Sequence, residues 1–280
     1  MEKAIKRYFP IFVLPTMIAF TLGFIIPFAE GVYLSFCKFT TVNDAKFIGL
    51  SNYGKVFKDS TFVHAFWYTA AFTVVSVILI NVLAFAVALL LTKGIKGTNV
   101  FRTVFFMPNL IGGIVLGYIW QLLLNGILMK FSRTLTYSST FGFWGLVILM
   151  CWQQIGYMMI IYIAGIQNIP GELIEAAEID GATKRQVLKS VTIPMVMPSI
   201  TVCTFLTLTN SFKLFDQNLA LTNGEPSKMS EILALNIFST FYGRAGYEGV
   251  GQAKAVIFFI LVAAIALTQN YLTRRKEVQQ

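Results

Sequence analysis

Charge is scarce in this chain. Only 12% of its 280 residues are Asp, Glu, Lys or Arg, about half the share of an ordinary soluble domain. With 56% hydrophobic residues and a mean hydropathy of +0.69, that shortage excludes disordered, collagenous and disulfide-rich classes and argues against a water-soluble globule. Histidine occurs once, at His64, with no second ligand-type residue at helical spacing, so neither a zinc centre nor an imidazole base is indicated. The three cysteines, Cys37, Cys151 and Cys203, are far apart in sequence and form no C-x-x-C pair. Cys151 and Cys203 fall in apolar runs, where a thiol serves as a small apolar filler. No metal site is expected. The net charge of +9 comes without any basic run interleaved with aromatics in a polar segment. It therefore indicates no nucleic acid, and suits a chain lying against anionic lipid.

What the chain does have is long stretches free of charge: 8–29, 60–92, 103–129, 134–171, 190–212 and 255–273. A bilayer core of about 30 Å needs roughly 20 apolar residues in a helix, and hydrocarbon offers backbone groups no partner outside a helix. The expected fold is therefore an all-α polytopic membrane protein with six transmembrane helices, near 9–36, 63–92, 103–126, 142–167, 194–214 and 253–273. The first apolar run is longer than the core of a signal peptide and lacks a convincing cleavage site, so it reads as a retained helix. Lys3, Lys6, Arg7, Lys93, Lys96, Arg102, Lys184, Arg185, Lys189, Arg274, Arg275 and Lys276 lie at the inner ends of the spans if the N-terminus is inside. Their density there supports an N-in, C-in orientation.

One phosphate-loop lookalike, Gly49 to Lys55, is followed by Val56, where a magnesium-binding Ser or Thr is required. It also falls in an outside loop, so no ATP site is expected in this chain. The segment 168–193 is the one inside loop large enough to fold. Pro170 suits a helix start, and Glu172, Glu175 and Glu178 favour that helix's positive end. Leu173, Ala176, Ala177 and Asp180 share a face. Gly181 is suited to the left-handed stop. A second short helix from Thr183 to Ser190 carries Lys184, Arg185 and Lys189, and Pro194 is expected to open the fifth span. On the residues alone this is a projecting helix–turn–helix, either a solvated hairpin or a docking element.

The spacing of Glu175-Ala176-Ala177, Asp180-Gly181-Ala182 and Pro194 resembles the coupling loop of the permease subunits of binding-protein-dependent ABC importers, with Val191 and Ile193 replacing the usual Ile and Leu. Other runs are similar to carbohydrate permeases of the maltose and glycerol-phosphate type: Phe47 to Tyr53, Phe101 to Pro108, Tyr162 to Pro170, and Phe215-Asp216 with Leu221 to Pro226. Glu225 replaces a common Gly. The end, from Arg274, lacks the pattern expected of the companion permease, so the chain resembles the first of two different permeases. The resemblance implies a type I importer permease fold in the cell (cytoplasmic) membrane. It implies a heterodimer with a second permease, a cytoplasmic ATPase dimer that carries ATP and Mg, and an extracytoplasmic solute-binding protein. It assigns ATPase coupling to Glu175, Ala176, Ala177, Asp180, Gly181 and Pro194, and makes the chain a non-enzymatic transport subunit.

For the sugar path, polar and aromatic residues inside spans are the candidates, because they are expensive in lipid. These are Tyr118, Gln121 and Asn125 in the third span, Trp152 and Gln153 (with Gln154) in the fourth, and Asn210, Phe212 and Asp216 at the end of the fifth. The alternative for each is glue between helices or an interfacial anchor. Gly113-x-x-x-Gly117 reads as a packing motif, and Lys213 and Lys254 as snorkelling cations. An ion-coupled secondary sugar carrier is the competing function, but it calls for mid-span carboxylates, and only Glu30 comes close. A membrane enzyme would need a cluster of reactive side chains, and none is seen. An ABC permease for a non-sugar solute such as glycerol phosphate stays open.

Overall fold

The computed structural model describes residues 2–274, and the side chains of 9 and 11–273. The side chains of Lys3, Lys6, Arg7, Arg274, Arg275 and Lys276, which enter the orientation expectation, lie outside the described residues. In chain order the elements are α1 (Glu2–Phe20), a π-helical turn (Thr21–Ile25), α2 (Ile26–Leu34), β1 (Cys37–Lys38), β2 (Lys46–Phe47), α3 (Ser51–Lys58), α4 (Ser60–Leu91), α5 (Thr98–Phe106), α6 (Gly113–Leu128) and α7 (Ser139–Gln167). There follow α8 (Gly171–Ile179), α9 (Lys184–Val187), a second π turn (Leu188–Thr192), α10 (Ile193–Met195), α11 (Met197–Phe212), α12 (Asp216–Leu221), α13 (Leu233–Gly243) and α14 (Glu248–Arg274).

Among the described residues, five helices are long and apolar enough to cross a membrane: Ile11–Leu34, Ser60–Leu91, Gly113–Phe131, Ser139–Gln167 and Glu248–Thr273. A sixth crossing arises if Lys184–Met195 and Met197–Phe212, bent by 68°, form one span. The chain is thus a multi-pass, all-α membrane protein.

Two of the spans depart from the sequence expectation. The third run is not one helix. A 3₁₀ turn with the buried Pro108 ends α5, Ile111 and Gly112 are extended, and the membrane-length helix starts afresh at Gly113. Proline followed by glycines breaks the hydrogen-bond ladder that the apolar composition alone would have continued. Nor does Pro194 open the fifth span. It sits inside the arm before the bend, and it is Pro198 that occupies the first turn of α11, after Val196. Both π turns end two residues before a proline, Pro27 and Pro194. A wider turn moves the carbonyl four residues back out of the way of the pyrrolidine ring, so the helix continues past it.

The chain divides into two compact units, one running to Ser60 and including Ile237–Ile260, the other comprising Thr61–Asn236 and the residues from Leu261 on. In the first, β1 and β2 form a short antiparallel hairpin, Cys37 opposite Phe47. Asn52 of α3 donates to the carbonyls of Ser35 and Cys37 at 2.9 and 2.8 Å. Lys254 is fully buried there and donates to Asp59 Oδ2 and Thr240 Oγ1, both at 2.8 Å. The snorkelling expected of Lys254 is therefore replaced by a buried ion pair. A cation that cannot reach water needs such a partner.

In the second unit α7 supplies the core. Leu146, Met150, Met158 and Tyr162 are buried against Phe72 and Ile80 of α4 and Cys203 of α11. Tyr162 donates to Asn81 Oδ1 at 2.7 Å, and Asn81 reaches Thr207 at 3.4 Å, linking three helices where lipid would leave polar groups unpaired. Gly113 and Gly117 face α12: a Cβ there would lie 2.7 Å from Asp216 Cβ and 2.7 Å from Ala220 Cβ respectively. The Gly-x-x-x-Gly motif is a packing seam.

Candidate functional site: an exposed helix–turn–helix and a polar groove

The segment after α7 is largely exposed, with Ile174 packed against the core. Pro170 occupies the N-cap of α8 rather than its first turn, and its carbonyl accepts from Leu173 N–H at 3.2 Å. Gly181 has φ +80°, as its place after the helix requires. Gly181 N–H donates to Glu178 O at 3.0 Å and Ala182 N–H to Ala177 O at 2.9 Å, the paired bonds of a Schellman stop. Thr183 then opens α9 with a capping box: Gln186 N–H donates to Thr183 Oγ1 at 3.4 Å, and Thr183 N–H to Gln186 Oε1 at 2.8 Å. The junction between α8 and α9 is thus capped locally on both sides. Glu175, Ala176, Asp180 and Gly181 are exposed, and Ala177 is half-buried. Ile179 is 85% exposed, an apolar residue at the tip that the face of Leu173, Ala176 and Ala177 did not single out. Its signal was available: it lies three residues after Ala176. Pro194 is half-buried in the arm toward α11 and lies outside this motif.

At the far end of α11 a groove of about 410 Å³ is lined by Asn109, Gln154, Asn210, Lys213, Leu214, Phe215, Asp216 and Gln217. Asn210 Nδ2 donates to Gln154 Oε1 at 3.3 Å, and Gln217 Nε2 to Gln153 Oε1 at 2.9 Å. Gln153 in turn reaches Ile111 O at 3.5 Å, so it sits behind the groove wall. Carboxamides donate and accept at once, which is what vicinal hydroxyls require. Phe215 adds an aromatic surface. Lys213 and Asp216 are exposed, one charge of each sign. Among the described residues no carboxylate lies within ion-pair distance of Lys213.

Of the sequence candidates, Gln154, Asn210 and Asp216 line this groove and Gln153 supports it. The others lie elsewhere. Gln121 donates to Leu221 O at 3.0 Å, and Asn125 Oδ1 accepts from Leu135 N–H at 2.8 Å, so both brace local backbone. Phe212 is buried. Tyr118 is exposed, and Trp152 packs edge-on to Trp120 at 5.6 Å. Asn109, Lys213 and Gln217 were not read as site residues. Asn109 is placed by the break before α6, and Gln217 by a short helix within what reads as a loop. Lys213 passed for a snorkelling cation. Among the described residues no group of three or more His, Cys, Asp or Glu could hold a metal ion.

Asp44 lies outside the spans. It accepts the backbone N–H groups of Thr40 and Thr41 at 2.9 and 3.0 Å, which hold its carboxyl below the usual aspartate value.

Known proteins resemble the chain over nearly its whole length. It is 43% identical over 96% of its residues and 94% of the other chain to the "Probable starch degradation products transport system permease protein AmyD" of Thermoanaerobacterium thermosulfurigenes. It is 28% identical to the multiple sugar-binding transport system permease protein MsmF of Streptococcus mutans, over 99% of each chain. Its fold is similar to a chain in the crystal structure of a bacterial ABC transporter that imports the acidic polysaccharide alginate (TM-score 0.81, 21% identity, 98% of each chain). Residues 81–278 match the model of the binding-protein-dependent transport system inner membrane component. With the exposed helix–turn–helix, the membrane-length helices and the polar groove in one chain, that match makes the protein a member of the family of binding-protein-dependent transport permeases, a transport component rather than an enzyme.

Proposed function

We propose that this chain is one half of the translocation path of an ATP-driven importer for a sugar or oligosaccharide. It pairs with a second, different permease in the cytoplasmic (inner) membrane, with both termini inside. An extracytoplasmic solute-binding protein delivers the substrate. ATP and Mg act on a cytoplasmic ATPase dimer and not on this chain.

The observation that carries this reading is the continuity of one segment, 171–217. It begins as the exposed α8–turn–α9 motif, passes through the arm and the 68° bend, and rises as α11. A 16-residue α-helix extends about 24 Å. At its far end come Asn210, Lys213, Asp216 and Gln217 of the groove. A partner that grips α8 thus has a stiff lever to the place where hydroxyls can bind. In this reading Glu175, Ala176, Ala177, Asp180 and Gly181 enter a cleft of the ATPase. The alanines keep the helix slim, and Ile179 supplies an apolar contact at its end. Closure of the ATPase dimer drags the motif, and α11 carries the movement to the groove.

The importer relatives named above support sugar as the substrate class, and the carboxamide-rich groove fits it. Gentle purification of the chain from its native membrane, with mass spectrometry of what accompanies it, tests the assembly. An ATPase subunit and a second permease are expected. Recovery of the chain alone, with sugar uptake that follows an ion gradient and ignores ATP, would overturn the proposal in favour of a secondary carrier.

A further inference from the structure

The segment joining α12 to α13 is held more firmly than a connection requires. Asn218 is fully buried and uses its whole amide on it. Nδ2 donates to Thr222 Oγ1 at 3.0 Å and Ser230 O at 2.9 Å, and Oδ1 accepts from Ile232 N–H at 3.0 Å. Ser230 Oγ donates to Glu225 O. From α4, His64 Nε2 meets Met229 O at 2.9 Å, and Thr69 Oγ1 accepts from Leu233 N–H at 2.9 Å. Against these anchors three non-glycine residues are held in the left-handed region: Asn223 (φ 50°), Ser227 (φ 51°) and Lys228 (φ 64°). Such conformations persist only where the surroundings over-determine them, and they gather at functional sites.

The tip that results is rigid, yet its side chains face outward. Asn223, Glu225, Ser227, Lys228 and Met229 are all exposed. The carboxylate of Glu225 is occupied within the tip by Ser227 N–H at 2.9 Å. Lys228 has no carboxylate within ion-pair distance among the described residues. The tip therefore presents an exposed cation beside an adaptable apolar side chain, on a backbone that loses little freedom when a partner binds. In the importer reading the bent arm and α11 form one crossing, which puts the tip on the opposite side of the membrane from α8. The short helix α12 joins it to the groove residues Asp216 and Gln217.

We infer that the tip 223–229 is a docking point for the solute-binding protein, taken by a patch of that partner with an acidic side chain beside an apolar one. This rests on the importer reading above, and α12 then relays docking to the groove.

The test uses the complete importer in proteoliposomes and the binding protein recovered with it, loaded with its sugar. ATPase activity is followed against binding-protein concentration. The double variant Lys228→Glu, Met229→Ala should raise the half-stimulating concentration at least about tenfold, since like charge now meets like, while the maximal rate at saturation is kept. Lys130→Glu, an exposed cation of another outer segment, should leave the curve in place. A double-variant curve that superimposes on wild type overturns the docking assignment and leaves the importer reading standing. If the double variant fails to assemble on size exclusion, Lys228→Gln alone decides by the same readout. Wild-type ATPase that no binding-protein concentration stimulates overturns the importer reading itself, and the docking point with it.

Discussion

Gly117→Ala probes how the groove is positioned. The added methyl would sit 2.7 Å from Ala220 Cβ and 3.1 Å from the carbonyl oxygen of Gln217. Carbon atoms in van der Waals contact prefer about 3.5–4.0 Å, so α12 must retreat by roughly 1 Å from α6. That retreat strains the Gln121–Leu221 hydrogen bond of 3.0 Å, worth about 1 kcal/mol. Overpacking a close seam adds about 1–3 kcal/mol. The expected loss of stability is about 2–4 kcal/mol, and Asp216 and Gln217 move with α12, so sugar transport should weaken as well. Thermal unfolding of the purified assembly reads the first effect, and sugar uptake in proteoliposomes the second. Gly126→Ala on the same helix is the control. Nothing lies within 4 Å of its would-be Cβ, and the change should stabilise by up to about 1 kcal/mol through helix propensity. Adding Ala220→Gly to Gly117→Ala should restore part of the loss, because the Cβ contact disappears while the Gln217 backbone contact remains. A Gly117→Ala protein as stable and as active as wild type would refute the packing account.

Lys254→Met leaves Asp59, itself partly exposed, without its cation; the expected destabilisation is about 2–4 kcal/mol, measured by thermal unfolding, and it should exceed that of a cation-to-Met change at exposed Lys58. Gly181→Val forces a β-branched residue to φ +80° at a cost of about 1–2 kcal/mol. Since the motif is exposed, the effect should appear as ATP hydrolysis uncoupled from sugar uptake rather than as loss of assembly. Ala177→Trp should block coupling by bulk, and normal transport by that variant would falsify the docking of α8. The carboxyl of Asp44, held below its ordinary value, stabilises the 40–44 turn above the ordinary aspartate range, and that contribution is lost as pH falls through its lowered folded-state value. A carboxyl resonance followed by NMR in acid should titrate below that of Asp44 in the unfolded chain, and an unshifted midpoint would contradict the turn geometry.

Much of the helix–turn–helix geometry was legible from residue order. The projecting α8–turn–α9 motif depends on rules that act within about four residues. Glycine accepts a left-handed stop, threonine and glutamine cap each other, and small residues keep a helix slim. The candidate groove was less legible. Asn210 and Asp216 could be named because polar residues near a span end are costly. Gln121 and Asn125 carry the same signal but are bonded to the backbone at Leu221 and Leu135. Residue type alone does not separate a carboxamide that braces a neighbour from one that faces a groove, since both escape the same desolvation cost.

Composition by itself determined that this is a multi-pass helical membrane protein, because charge-free stretches of bilayer length admit no other backbone arrangement. Local sequence determined the helix–turn–helix. Tertiary structure decided where helices break and what each polar side chain meets. Pro108 splits a run that composition would have continued, and π turns let Pro27 and Pro194 pass without a break. Lys254 finds Asp59 across 195 positions of sequence, and Asn218 gathers the connection between α12 and α13. The physical reason is common to all of these. Hydrophobic burial in lipid is blind to partner and depends on the stretch alone, whereas hydrogen bonds, ion pairs and close backbone approaches depend on atoms that only folding brings together.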